Sequence, residues 1–146
     1  AMLCVEDIMT REPYTLGPDH TLLDAAKLMR EHHIRHIPVV SSDGAVVGVI
    51  SHRDVLAASD SRILHGDEPG KEAYVALSAV MTSPVQTVAE STDLRAAAIH
   101  LRKQRLGCLP VTREGSIVGI ITDSDYLEVA ITLMEQLEMG EPEEDL

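Results

Sequence analysis

Two carboxylates stand at the same place in a stretch that the chain writes twice. Gly48-Val49-Ile50-Ser51-His52-Arg53-Asp54 returns 71 positions later (48 to 119) as Gly119-Ile120-Ile121-Thr122-Asp123-Ser124-Asp125. Each copy runs from a glycine through two β-branched residues to a hydroxyl residue, with an Asp three positions after it. The chemistry open to this stretch is hydrogen bonding. An ionised carboxylate only accepts, so it suits a vicinal diol such as a ribose, which donates two O–H bonds. The same Ser/Thr-x-x-Asp spacing also makes a helix capping box. A helix N-terminus adds unpaired N–H groups and a positive dipole end, which favour phosphate. Capping and ligand binding are both open readings, and the duplication weighs towards a site.

Other residues could serve such a site. Arg35-His36 precedes Pro38 in the first half, and His52-Arg53 lies inside the first Asp stretch. Arginine is geometrically suited to phosphate, so these pairs are candidate phosphate donors; the alternative is that they are ordinary exposed side chains. His32-His33-x-x-His36 has a spacing that suggests a metal. The helical pattern ends near His33, however, so surface histidines or ligand contacts are expected instead of a metal site. Cys108 aligns with His36 and reads as a small core thiol. The chain has no Gly-x-Ser-x-Gly elbow, phosphate loop or His-Glu-x-x-His. No catalytic residue is assigned, and the expectation is a protein that is not an enzyme.

The elements that must hold these residues follow from periodicity. Val5, Ile8 and Met9 suggest a short opening helix over Leu3 to Met9, matched by Leu77, Val80 and Met81. Thr21-x-x-Asp24 opens an amphipathic helix running to about His32. Ile34 to Val40 and Ala45 to Ser51 read as strands joined through Asp43-Gly44, a hairpin signal. A helix is expected over Asp54 to Leu64, and a linking helix over Lys71 to Met81 after Gly66, Pro69 and Gly70. The second half repeats the plan and ends in a helix from Asp125 to about Met139. Its apolar residues cover more than one face, as expected for contact on two sides or for deep burial in the monomer. Domain boundaries are expected at 1–66 for the first repeat, 67–79 for the linking segment, 80–139 for the second repeat and 140–146 for a solvated acidic tail.

The repeat extends well beyond the Asp stretch. At an offset of 72, Met9-Thr10 meets Met81-Thr82 and Pro38-Val39 meets Pro110-Val111. Leu22, Ala25, Ala26 and Met29 meet Leu94, Ala97, Ala98 and Leu101, which is one helical face written twice. In this order the motifs resemble the cystathionine β-synthase (CBS) domain, in the tandem pair known as a Bateman module. The resemblance runs from about Val5 to Met134. It implies an α+β fold with β-α-β-β-α in each repeat, and two small sheets related by a pseudo-twofold axis. It also implies two clefts that bind adenosine-type ligands, each drawing on both repeats. One cleft would combine Thr122, Ser124 and Asp125 with Thr10, Arg35, His36, Ile37 and Pro38. The other would combine Ser51, His52, Arg53 and Asp54 with Thr82, Cys108, Leu109 and Pro110.

Composition narrows the partners. A formal charge of −12 argues against nucleic acid, whose phosphates need a basic surface. With no Trp, no Phe and only three Tyr, stacking of single strands is not expected either. Cys4 and Cys108 lack CxxC spacing, no apolar run approaches the roughly 18 residues that span a bilayer, and no signal peptide is seen. A cytoplasmic protein with no membrane insertion is expected. Two functions stay open: a sensor of adenine nucleotides (AMP, ADP, ATP or related adenosyl ligands) acting on an unknown effector protein, or a ligand-free dimerisation scaffold. No cofactor is required in either, the nucleotide being a regulatory ligand, and a homodimer through the last helix and the segment near Tyr74 and Leu77 is expected.

Overall fold

Each half of the chain lends its opening segment to the core of the other. The computed structural model describes residues 3–64 and 74–140. In chain order these form β1 (Thr10–Arg11), α1 (Leu22–His32), β2 (His36–Val40), β3 (Val46–Ser51) and α2 (His52–Leu64) in the first repeat. The second contains β4 (Val88–Ala89), α3 (Leu94–Gln104), β5 (Cys108–Arg113), β6 (Ser116–Thr122) and α4 (Asp123–Gly140). The amphipathic helices form where the apolar spacing requires them. Thr21 and Asp24 cap α1 reciprocally, with Thr21 N–H donating to Asp24 Oδ2 at 2.9 Å and Asp24 N–H to Thr21 Oγ1 at 3.2 Å.

Two antiparallel hairpins dominate the sheets. β2 pairs with β3, and β5 pairs with β6 in a sheet of order β1-β6-β5-β4. Gly44 and Gly115 take positive φ at the hairpin turns, 89° and 82°, where a Cβ would be strained. β4 runs parallel to β5, and Leu16 makes the matching parallel bridge to Val39 in the first repeat. The fold is α+β, with the strand, helix, strand, strand, helix order in both halves.

The crossing is visible in the cores. Leu94, Ala97, Leu101, Leu109, Val111 and Ile121 of the second repeat enclose Val5 and Met9 of the first. Leu22, Ala25, Met29, Ile37, Val39, Ile50 and Val55 of the first enclose Leu77 of the second, with Val80 and Met81 packed beside them. The main chain follows: Leu94 N–H donates to Leu3 O at 2.9 Å, and Leu22 N–H to Val75 O at 3.0 Å. Each opening segment thus satisfies an orphan donor at the start of the other repeat's helix.

Several expected elements differ. The opening helix is a single 3-10 turn over Val5–Asp7, because the segment must then cross to the other repeat. Its counterpart is a 3-10 turn over Leu77–Ala79, and Leu77 is fully buried, so it cannot lie on an outer interface. The start of the expected linking helix, Lys71 to Ala73, lies outside the described residues, as do Gly66, Pro69, Gly70 and residues 141–146 of the expected tail. α2 and α4 begin two residues earlier than expected, at His52 and Asp123, directly after Ser51 and Thr122. On the deep-burial alternative for the last helix the structure is clear: α4 has no buried residue.

Candidate functional site

Both Asp stretches form the same local structure. Ser51 N–H donates to Asp54 Oδ2 at 2.9 Å, and Asp54 N–H donates to Ser51 Oγ at 3.1 Å. Thr122 N–H donates to Asp125 Oδ2 at 2.8 Å, and Asp125 N–H donates to Thr122 Oγ1 at 3.4 Å. The capping reading therefore holds at α2 and α4. It does not use up the acids. Thr122 Oγ1 also donates to Asp125 Oδ2, but neither Oδ1 accepts a hydrogen bond among the described residues. A carboxylate has about four lone-pair sites, so each acid can cap its helix and still accept from a diol.

The crossing brings the Met-Thr segment of one repeat to the Asp stretch of the other. Thr10 pairs with Ile120, two residues before Thr122. Thr82 pairs with Val49, two residues before Ser51. The recurring glycine makes this approach possible. A Cβ on Gly119 would lie 2.9 Å from Thr10 O and 2.5 Å from Met9 Sδ. One on Gly48 would lie 3.0 Å from Thr82 O and 2.5 Å from Met81 Sδ. The duplicated glycine is thus a packing requirement of the crossing.

Strand alternation sorts the remaining candidates. Ile37 and Leu109 are fully buried in the two cores, which leaves only their main chains for a ligand. Alternation turns Pro38, Pro110 and Cys108 to the opposite faces, all of them buried. Cys108 packs with Val49 and Ile120 where the two sheets meet, with Val85 against them. Burial pushes the Cys108 thiol up to about 12, so it stays protonated and unreactive at neutral pH. Thr10, Thr82, Arg35, His52, Arg53 and Ser124 are exposed, and Ser51, Asp54, Thr122 and Asp125 are half-buried.

His36 stands between the repeats. It begins β2 opposite Ser51, and its ring fills the space beside Gly107 of the second repeat. Burial lowers its pKa below the usual imidazole value; Asp123 and Asp54 both oppose that shift, and Arg35 adds to it. One imidazole therefore senses an acid from each of the two Asp stretches. The main chain ties each loop down within its own repeat: His52 N–H donates to Arg35 O at 2.8 Å, and Asp123 N–H to Gly107 O at 3.1 Å. The contact between His36 and Gly107 was not read from the sequence; the pairing of a bulky residue with a glycine at aligned positions was the available signal.

The histidine triplet does not share one helical face. His32 ends α1 and stacks on Tyr14 with ring centroids 3.9 Å apart, His33 is left-handed at φ 54°, and His36 is in β2. Among the described residues, no three His, Cys, Asp or Glu side chains converge as a metal site would require. No helix among them is long and apolar enough to cross a membrane.

Relatives share this architecture. A CBS domain-containing protein of Dictyostelium discoideum is 31% identical over 90% of this chain and 93% of its own length. The homoserine O-acetyltransferase of Methanocorpusculum labreanum, also 31% identical, is matched over only 23% of its length. A solved Vibrio cholerae protein, provisionally named for acetoin utilization (AcuB), superposes with a TM-score of 0.83 at 42% identity, over 94% of this chain and 98% of that one. The CBS domain pair of protein MJ0100, solved with 5′-methylthioadenosine and S-adenosyl-L-methionine, gives a TM-score of 0.77 at 25% identity, over 91% and 99% of the two chains. CBSX2, solved with AMP, gives 0.74 at 27%, over 90% and 98%. The CBS domain profile matches residues 5–61 and 77–132, and the chain belongs to the CBS domain family as a tandem pair.

Proposed function

We propose that the chain is a regulatory module that senses an adenine nucleotide or related adenosyl ligand in the two clefts between its repeats. The observation that carries this reading is the unused Oδ1 of Asp54 and of Asp125, each following a strand that pairs with the Met-Thr segment of the opposite repeat. The adenosyl ligands of MJ0100 and CBSX2 support the choice of ligand class. Asp125 with Thr122 and Ser124 forms one ribose edge and Asp54 with Ser51 the other, while the base lies against Thr10 and Pro38 in the first cleft and Thr82 and Pro110 in the second. His36 and Arg35 supply phosphate contacts to the Asp125 cleft, His52 and Arg53 to the Asp54 cleft. The module has no chemistry of its own and passes ligand occupancy to an effector in the cytoplasm. A thermal-shift panel with AMP, ADP, ATP, NAD and S-adenosylmethionine tests it. A ligand at 100 times its Kd stabilises the fold by about 2.7 kcal/mol. A shift with none of the five refutes the sensor.

A second reading, the dimerisation scaffold, rests on α4. Leu127, Ile131, Leu133, Met134 and Leu137 are 47–68% exposed on this 18-residue helix, with Tyr74 exposed elsewhere. We place α4 and Tyr74 in a homodimer interface, compatible with either function. Light scattering that gives a monomer at micromolar concentration, with and without nucleotide, refutes it.

A further inference from the structure

Behind the Asp stretch of the second repeat is a hollow of about 340 Å³ that the ribose-binding edges do not use. Its floor is apolar, made by Ala98, Leu101, Leu106 and Tyr126. Tyr126 is fixed there, its O–H donating to Leu94 O at 2.7 Å. The rim carries Arg102, Arg105 and Asp123. Arg105 N–H donates to Arg102 O at 3.3 Å, so the two arginines stand one turn apart at the end of α3. Asp123 N–H donates to Gly107 O, in the loop between α3 and β5.

Opposite charges around one hollow would be expected to pair, and these do not. Among the described residues the ion pair within 4 Å is Arg113 with Glu90, and the side chains of Arg102, Arg105 and Asp123 make no hydrogen bond. The repeat accounts for only part of the arrangement. Arg102, Ala98, Leu101 and Leu106 have counterparts in Arg30, Ala26, Met29 and Ile34, but the first repeat has His33, His52 and Val55 where the second has Arg105, Asp123 and Tyr126.

We propose that this hollow binds an apolar α-amino acid as its zwitterion. The carboxylate lies between Arg102 and Arg105, the ammonium on Asp123, and the side chain on the floor. Arginine suits a carboxylate because its planar fork matches the two oxygens. A simple anion would face the Asp123 charge, and a simple amine would face two guanidiniums. A ligand with both charges and an apolar body uses the whole lining. The volume is at the low end of the roughly 300–1,000 Å³ of small-molecule sites, which fits a single amino acid. The charged rim is exposed, so the Kd is on the order of 1 mM.

The test is ligand-observed NMR on the full chain with leucine, 4-methylpentanoate, 3-methylbutylamine and glycine. These probes remove in turn the amine, the carboxylate and the side chain. Leucine is expected to bind, with the other three about tenfold weaker or more. Arg102→Ala with Arg105→Ala should weaken leucine at least about tenfold, and Asp123→Asn should do so without weakening 4-methylpentanoate. Ala98→Phe should fill the floor and abolish binding, with circular dichroism confirming that each variant is folded. No response to leucine, isoleucine, methionine or phenylalanine at about 20 mM overturns the proposal. So does leucine binding that survives the double arginine variant, or binding of 4-methylpentanoate as tight as that of leucine.

Discussion

The imidazole of His36, in the first repeat, fills the space in which a side chain at Gly107, in the second, would begin. The aligned positions are exchanged in size: Arg35 matches Gly107, and His36 matches Cys108. A large ring faces the glycine on one side of the pseudo-twofold axis, while a small thiol stands in its place on the other. Gly107→Ala should therefore cost about 1–3 kcal/mol by overpacking, measured by urea unfolding. His36→Ala in the same chain should recover most of that loss, because the two changes share one contact. Additive effects would mean that Gly107 is required for another reason.

The same histidine sets a pH response. Burial lowers its pKa, so the folded chain holds it neutral more readily than the unfolded chain does. Stability from this group is therefore complete above the ordinary imidazole pKa and falls as pH drops below it. The charges of Asp123 and Asp54 reduce the effect, and that of Arg35 adds to it. The Tm should drop between pH 7.5 and 5.5, and His36→Gln should flatten part of that slope (about the unperturbed 6.5). The carboxylates held low by hydrogen bonds, Asp24 at the α1 cap and Glu90 beside Arg113, lose their contribution only at more acid pH. An unchanged slope in His36→Gln would place the response elsewhere.

Gly119 tests the crossing of the chain. A Cβ there would press on the carbonyl of Thr10, which is main chain and cannot swing aside as Met9 Sδ can. Gly119→Ala should destabilise by about 1–3 kcal/mol, and pairing Met9→Ala with it should recover only a part. Gly115→Ala is a different case, since its φ is 82° and nothing lies near its Cβ. It should cost about 1 kcal/mol through backbone strain alone, with no coupling to Met9. Coupling of Met9 to Gly115 but not to Gly119, read from urea midpoints, would contradict the packing account.

Much of this was legible because the sequence is written twice. The offset of 72 aligned Leu22, Ala25 and Met29 with Leu94, Ala97 and Leu101, and these are the buried faces of α1 and α3. The Ser51 to Asp54 and Thr122 to Asp125 spacings gave the capping boxes at once. What sequence order cannot show is which repeat an opening segment joins. Val5 and Leu77 have local helical periodicity, yet each is held by a core far away in sequence, and only a 3-10 turn survives the crossing. The family resemblance includes Ile37 and Leu109 among the ligand contacts, whereas the two-residue alternation turns both side chains into the cores.

The sugar offers a separate test of the acids. If Oδ1 of Asp54 and Asp125 holds a ribose, both hydroxyls count. The 2′-deoxy nucleotide should then bind about 10- to 100-fold more weakly, since a hydrogen bond to a charged group contributes roughly 1.5–3 kcal/mol. Equal calorimetric affinity for AMP and 2′-deoxy-AMP would leave both acids as helix caps.

The central claim, that each cleft is built around one of the two acids, is tested most directly by titrating AMP into the wild-type chain, Asp54→Asn, Asp125→Asn and the double variant in a calorimeter. Asn keeps a capping side chain, so all four should remain folded. Two binding events are expected in the wild type, one in each single variant and none in the double variant, the surviving event weakening further when Arg35 or Arg53 of its own cleft is replaced by alanine. AMP binding to the double variant with wild-type affinity and stoichiometry would contradict the account.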